Sequence, residues 1–166
     1  MKQATAPSSA LNWDKIDFSE KQVNGHISVK WNSGKGWGKP QFNTSPYINL
    51  HIAATGLNYG QQAFEGIKAF RTAKNSVHIF RPKENAKRIN VSARVASMPE
   101  IPEELFLDCL KKAVAGNLEF VPPYAPQAAT GSLYLRPLLV GTGPHLILTS
   151  PDEFTFFVWV TPVGSL

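Results

Sequence analysis

The sequence predicts an α/β fold in which a mixed or antiparallel sheet carries flanking helices, and three observations predict it. Two apolar runs, Leu133 to Val140 and Phe154 to Val160, have the length and composition of buried strands. Two further segments, Pro82 to Met98 and Pro102 to Asn117, repeat apolar residues at helical spacing. Between Gly66 and Phe80, two short extended stretches flank the turn-forming Thr72-Ala73-Lys74-Asn75-Ser76 and make a β-hairpin.

The elements follow in order. Residues 1–10 mix Ser, Thr, Pro and Ala without periodicity and are expected to form a flexible leader, so that residues 11–166 make one domain. His26 to Trp31 alternates polar and apolar residues, as a half-buried strand does, and the glycines from Gly34 to Gly38 break it. The stretch from Pro40 to Ala54 is turn-rich and carries no assignable period. Pro82 suits the first turn of a helix, where its missing N–H is not needed, and Ala86, Ile89, Ala93 and Ala96 fall on one face before Met98-Pro99 stops it. In the next helix, Glu103 and Glu104 suit the first turn, Phe106, Cys109, Leu110, Ala113 and Val114 make the apolar stripe, and fraying is expected near Gly116 or Asn117. A loop follows at Pro122, Pro123 and Pro126.

Composition narrows the function classes. The 166 residues carry a net charge of +5, but the lysines are dispersed with no run longer than two, which argues against a nucleic-acid partner. A single cysteine, Cys109, rules out an internal disulfide and a cysteine-rich zinc site, and no metal is expected. No stretch approaches the roughly 20 apolar residues of a membrane span, so no membrane partner is expected and the plain expectation is a cytoplasmic protein.

Four ordered segments carry the chemistry: Leu57 to Arg71, which contains Tyr59-Gly60 and Phe64-Glu65-Gly66; Phe80 to Arg94, which contains Arg88; Gly131 to Pro137, which contains Tyr134-Leu135-Arg136; and Gly141-Thr142-Gly143-Pro144. In order and spacing they resemble the branched-chain aminotransferases, which are fold-type IV pyridoxal-phosphate enzymes, and the likeness runs from about Trp37 to Gly164. The resemblance implies the small domain of that family and a homodimer with its active site between a small and a large domain. It also implies residue roles: Arg88 at the cofactor phosphate, Tyr59 and Phe64 lining the substrate side-chain pocket, Tyr134 and Arg136 beside the substrate carboxylate, and a loop at Gly141, Thr142 and Gly143 that reaches the partner's site. Asn58 departs from the family, which usually has histidine there.

The residues themselves leave plainer readings open. Glu84 precedes Arg88 by four residues, the spacing of an ordinary ion pair on a helix surface. Arg136 interrupts an apolar run, and a charge in a buried strand must be paired or line a polar cavity. Tyr59, Phe64 and Tyr134 could each be core aromatics, and His78 suits a surface or cross-strand position.

The matching region ends at Thr161-Pro162-Val163-Gly164, and the lysine that binds the cofactor lies in the family's large domain. Lys68 is an unsuitable substitute, since an ordinary lysine stands at that place in the family. No covalent cofactor is therefore expected, and noncovalent binding of pyridoxal phosphate at Arg88 is the most that would be retained. The leading expectation is a cofactor-independent enzyme of cyclase or isomerase type acting on a small-molecule ligand. In that reading Arg136 stabilises developing negative charge, and Tyr59 or Tyr134 acts as acid or base. The alternatives are a non-catalytic assembly partner and a portion of an ordinary aminotransferase. A homo-oligomer is expected in either case.

Overall fold

A computed structural model describes residues 5–124 and 131–164; residues 1–4 of the expected leader and Pro126 of the expected loop lie outside them. The chain runs through β1 (His26–Asn32), β2 (Gly36–Trp37), β3 (Gln41–Asn43), α1 (Thr55–Asn58), β4 (Gln62–Phe64), β5 (Ile67–Arg71), β6 (Val77–Ile79), α2 (Pro82–Val95), α3 (Glu103–Ala115), β7 (Ser132–Gly141) and β8 (Glu153–Val163). One eight-stranded sheet results, in the order β2-β1-β8-β7-β5-β6, with β3 added to β1 and β4 to β7. Every pairing is antiparallel, which decides between the two sheet types the sequence left open.

The two long apolar runs are the central strands. They pair over ten residues, from Ser132 opposite Val163 to Gly141 opposite Phe154. Because side chains alternate across a strand, one face presents Leu133, Leu135, Leu139, Phe154, Phe156, Val158 and Val160, all at most 2% exposed. Helices α2 and α3 cover that face with Ala86, Ile89 and Ala93 and with Phe106, Cys109, Leu110, Ala113 and Val114, and Phe106 stacks on Phe156. The opposite face carries neither α2 nor α3; α1 lies against Val140 at one end of it, Phe18 packs edge-on against Tyr134, and its middle is built from Phe64, Tyr134, Arg136, Leu138, Phe157 and Trp159.

Strands β4 and β5 form one line along β7. Phe64 lies opposite Leu138 and Ile67 opposite Leu135, so Glu65 and Gly66 fall opposite Pro137 and Arg136 with no residue inserted. Proline has no N–H to give, so only half of that hydrogen-bonded pair forms: Glu65 N–H donates to the Pro137 carbonyl at 2.9 Å. The missing bond interrupts the strand where the residues of interest gather.

Two expectations change at the helix ends. Helix α2 stops at Val95, short of Met98, and the chain turns through Ser97 in the left-handed region at φ 53°. After α3 the backbone does not fray: Asn117 is fully buried and hydrogen-bonded to Gly25 and Ala113. At the other end of the chain, Ser8 N–H donates to the Glu119 carbonyl at 2.8 Å.

Cys109 is buried in the α3 stripe, and its surroundings push the thiol up to about 12, first through loss of hydration and then through nearby Asp108. The thiol should be unmodified by maleimide in native protein at pH 8 and react fully once urea unfolds the chain. Linkage gives a second consequence. The folded thiol keeps its proton above pH 9 while the unfolded one loses it, so this group makes stability fall between about pH 9 and 12, with a slope of at most about 1.4 kcal/mol per pH unit. Urea titrations from pH 8 to 10.5 on the wild type and Cys109→Ala should diverge in that direction. Parallel curves would show that the buried thiol is not the cause.

No helix among the described residues is long and apolar enough to cross a membrane.

Candidate substrate and anion site

Strand alternation brings Arg136 to the face opposite α2 and α3, where its cross-strand neighbour is Trp159. Its guanidinium lies 4.3 Å from the Phe64 ring centroid, 5.4 Å from Tyr134 and 6.0 Å from Trp159. Nη2 and Nε both donate to the Tyr134 hydroxyl, at 2.8 Å and 3.2 Å. The sequence required a buried charge to be paired or to line a polar cavity. Here no carboxylate among the described residues pairs with Arg136. The cation is half-buried, oriented by three rings and one hydroxyl, and carries its positive charge unneutralised.

Gly66 makes room for that arrangement. A Cβ on it would stand 2.5 Å from the Tyr134 hydroxyl oxygen, so the absent side chain is what lets the phenol lie over the strand beside Arg136. Lys68, opposite Tyr134 in the register, is exposed on the same face.

On the helix side of the same junction sits Glu65, only 4% exposed. Its carboxylate accepts from Arg88 Nε at 2.7 Å, from Arg88 Nη2, and from Asn85 Nδ2 at 2.8 Å. The expected pairing of Glu84 with Arg88 is thereby corrected. Glu84 pairs with Lys87 at 2.9 Å, and Arg88 turns to the buried carboxylate, which has far more to lose from lacking a counter-charge than an exposed one. This pairing raises the Arg88 pKa further above its ordinary value. Glu65 and Trp159 belong to this constellation and were not singled out from the sequence. The one available signal for Glu65 was its place beside Gly66 in the segment from Leu57 to Arg71.

The remaining candidates lie elsewhere. Tyr59 caps α1, and its hydroxyl donates to the Leu146 carbonyl at 2.7 Å. It lines a cleft of about 420 Å³ with Gln61, Ser97, Leu148, Thr149 and Ser150. Gly141, Thr142 and Gly143 sit at the far end of β7, about 16 Å along the strand from Arg136. All three are buried. The Thr142 hydroxyl is bonded to Glu153 and Thr155, and it borders a second cleft of about 480 Å³ containing His26. Neither cleft is lined by Arg136. His78 is exposed, opposite Phe70, and bonded to Ser76. Phe64, Tyr134 and Arg136 are therefore brought together, with Arg88 behind them across the sheet, whereas Tyr59 and the Gly141–Gly143 turn are not joined to that group.

Comparison with known proteins places this geometry in context. No family model matches the chain. The aminotransferase apf4 of Gibberella fujikuroi is 46% identical over 157 residues, covering 94% of this chain and 41% of that protein. The branched-chain amino acid aminotransferase gloG of Glarea lozoyensis is 41% identical over 161 residues, covering 96% and 44%. Among solved structures, a branched-chain aminotransferase from Thermoproteus uzoniensis with norvaline aligns with a TM-score of 0.61 at 19% identity, over 84% of this chain and 42% of that one. The branched-chain amino acid aminotransferase from Thermobaculum terrenum in its holo-form aligns at 0.59 and 19% identity, over 87% and 42%. The chain thus spans about two fifths of the length of these relatives, and its curled antiparallel sheet with few helices matches the small-domain architecture.

Proposed function

From a chain that belongs to the aminotransferase family containing the branched-chain enzymes, we propose that it supplies the substrate-facing wall of a site for amino-group transfer between an amino acid and a 2-oxo acid. The observation that carries this reading is Arg136, a cation with no carboxylate partner among the described residues, aimed by Tyr134 and flanked by apolar rings. A guanidinium so placed binds a substrate carboxylate through its free donors. Phe64 and Trp159 offer the apolar surface that a branched side chain would contact, and Tyr134 fixes the guanidinium and excludes water from one edge.

Pyridoxal phosphate, when bound, supplies the electron sink that amino transfer needs. The residues present fit its phosphate at one point: Arg88 is exposed, and among the described residues only Glu65 holds its guanidinium, along the Nε–Nη2 edge. Contact here would be noncovalent. The rest of the cofactor site, including the lysine, would come from the part of the relatives beyond the span matched.

This reading is favoured over a cofactor-independent cyclase or isomerase by the openness of the Arg136 group. Confining a reactive small molecule requires an enclosed, water-free cavity, and neither cleft includes Arg136. Exposed Tyr47, Ile52, Leu146, Ile147 and Leu148 support a covered assembly, with a second copy as the expected partner.

The test is complementation. The chain, mixed with the cofactor-binding portion of the Gibberella relative and pyridoxal phosphate, should transfer an amino group from leucine to 2-oxoglutarate, and neither piece alone should. Turnover of a 2-oxo acid by the chain alone, without cofactor, would overturn this in favour of the cyclase or isomerase reading.

A further inference from the structure

Glu65 is a buried carboxylate whose hydrogen-bonding capacity is directed at an exposed cation. Three donors converge on its two oxygens, Arg88 Nε and Nη2 and Asn85 Nδ2, and its own N–H is fixed to β7 at Pro137. Arg88 has its side chain 67% exposed. A pair made only for packing would bury both partners. Instead one edge of the guanidinium is clamped, and Nη1 has no hydrogen-bond partner among the described residues. An exposed arginine normally samples many rotamers, and fixing one costs side-chain entropy; the clamp removes that freedom before any ligand arrives.

We propose that Glu65 is a positioning residue for phosphate recognition, holding Arg88 by its Nε–Nη2 edge so that the Nη1 side is presented to a phosphomonoester. The proposal rests on the reading above that Arg88 meets the cofactor phosphate. Its chemistry explains why a carboxylate is required. Glutamine would bring one acceptor and one NH2 group against three converging donors, so at least one donor would be displaced and the guanidinium released. Aspartate keeps the charge but is one methylene too short to reach both nitrogens.

The experiment is a 31P chemical-shift titration of the full 166-residue chain with inorganic phosphate, repeated by equilibrium dialysis with pyridoxal phosphate, each beside a thermal unfolding scan. Glu65→Gln and Glu65→Asp should weaken both ligands about tenfold, the loss of one aligned charge-assisted contact. A purely structural carboxylate would lower the melting temperature and leave the affinity of the folded protein unchanged. A carboxylate that merely competes for Arg88 would make Glu65→Gln bind more tightly. Either result overturns the proposal. Should Glu65→Gln fail to fold, Arg88→Lys retains the charge without the two-point clamp and is expected to lose the same tenfold; wild-type affinity there would be equally fatal. Arg88→Ala separates the two levels. If it binds phosphate like the wild type, or if the wild type shows no saturable binding, the cofactor-phosphate reading of Arg88 falls first. If only the Glu65 variants are silent, positioning alone fails.

Discussion

Asn117→Ala is expected to lower the unfolding free energy by about 4 kcal/mol, as the loss of a buried side chain that satisfies several main-chain groups at once. The side chain is fully buried. Its Oδ1 accepts from the backbone N–H groups of Asn24 and Gly25 at 2.9 Å and 3.3 Å, and its Nδ2 donates to the carbonyls of Gly25 and Ala113 at 3.0 Å and 2.8 Å. It therefore mimics a strand partner at the entrance to β1 while closing the end of α3. Alanine would leave several main-chain groups unpaired in a dry place, at about 1–3 kcal/mol each, with partial relief by relaxation. Relaxation is limited because a Cβ at Gly25 would already stand 2.2 Å from the Asn43 carbonyl oxygen, so that loop has little space to shift. Aspartate is no remedy, since it would set an acceptor against two carbonyls. Urea unfolding should show a lower midpoint with an unchanged slope. A loss below about 1 kcal/mol would mean that water replaces the amide, and the clasp would have to be reassigned.

That clasp also shows where local reading stops. The sequence marks Gly116 and Asn117 as a fraying end because both residues disfavour helix, and the helix does end there; what no local pattern contains is the β1 entrance more than 90 residues earlier that the asparagine holds. The same distinction runs through the fold. Strands β7 and β8 were legible because a central strand concentrates apolar residues in one run, and α2 and α3 because their buried faces repeat at helical spacing. Strands β3 and β4 and the single turn α1 were not, being three or four residues long and stabilised by partners far along the chain, as β4 is by Leu138–Val140.

For the candidate site, the ordered motifs picked out Phe64, Tyr134, Arg136 and Arg88, but not how they are divided. Only the sheet, with α2 and α3 on one face, decides that Arg136 points away from them and Glu65 toward them from neighbouring positions along one pair of strands. The i,i+4 spacing of Glu84 and Arg88 was a genuine local signal that lost to a non-local one. An exposed ion pair contributes less than about 1 kcal/mol, whereas leaving Glu65 buried without a counter-charge would cost several times that.

Arg136→Met is the substitution expected to separate function from stability most widely. Methionine keeps the unbranched apolar stem that packs against Phe64 and Trp159 and discards the charge. Because no acidic group among the described residues is paired with the guanidinium, no buried charge there is left uncompensated when it goes, and the losses are the contacts to the rings and the Tyr134 hydroxyl, about 0.5–1 kcal/mol apiece at a half-open position. The methionine stem keeps part of the ring contact and relief of an unneutralised cation on an apolar face offsets more, so the unfolding free energy should fall by no more than about 2 kcal/mol. Carboxylate recognition should suffer far more. A bidentate guanidinium–carboxylate contact contributes about 3 kcal/mol, so in the complemented protein kcat/KM for the amino donor should fall about a hundredfold. Tyr134→Phe removes only the hydroxyl that aims the guanidinium and should fall less, about tenfold, with a similar melting temperature. The order of the two variants is the informative part: a larger loss for Tyr134→Phe than for Arg136→Met would make the phenol the group that meets the substrate and Arg136 its support. If both variants instead lose stability in proportion to activity, the cluster is a packing feature of the face opposite α2 and α3, and the carboxylate would have to bind elsewhere.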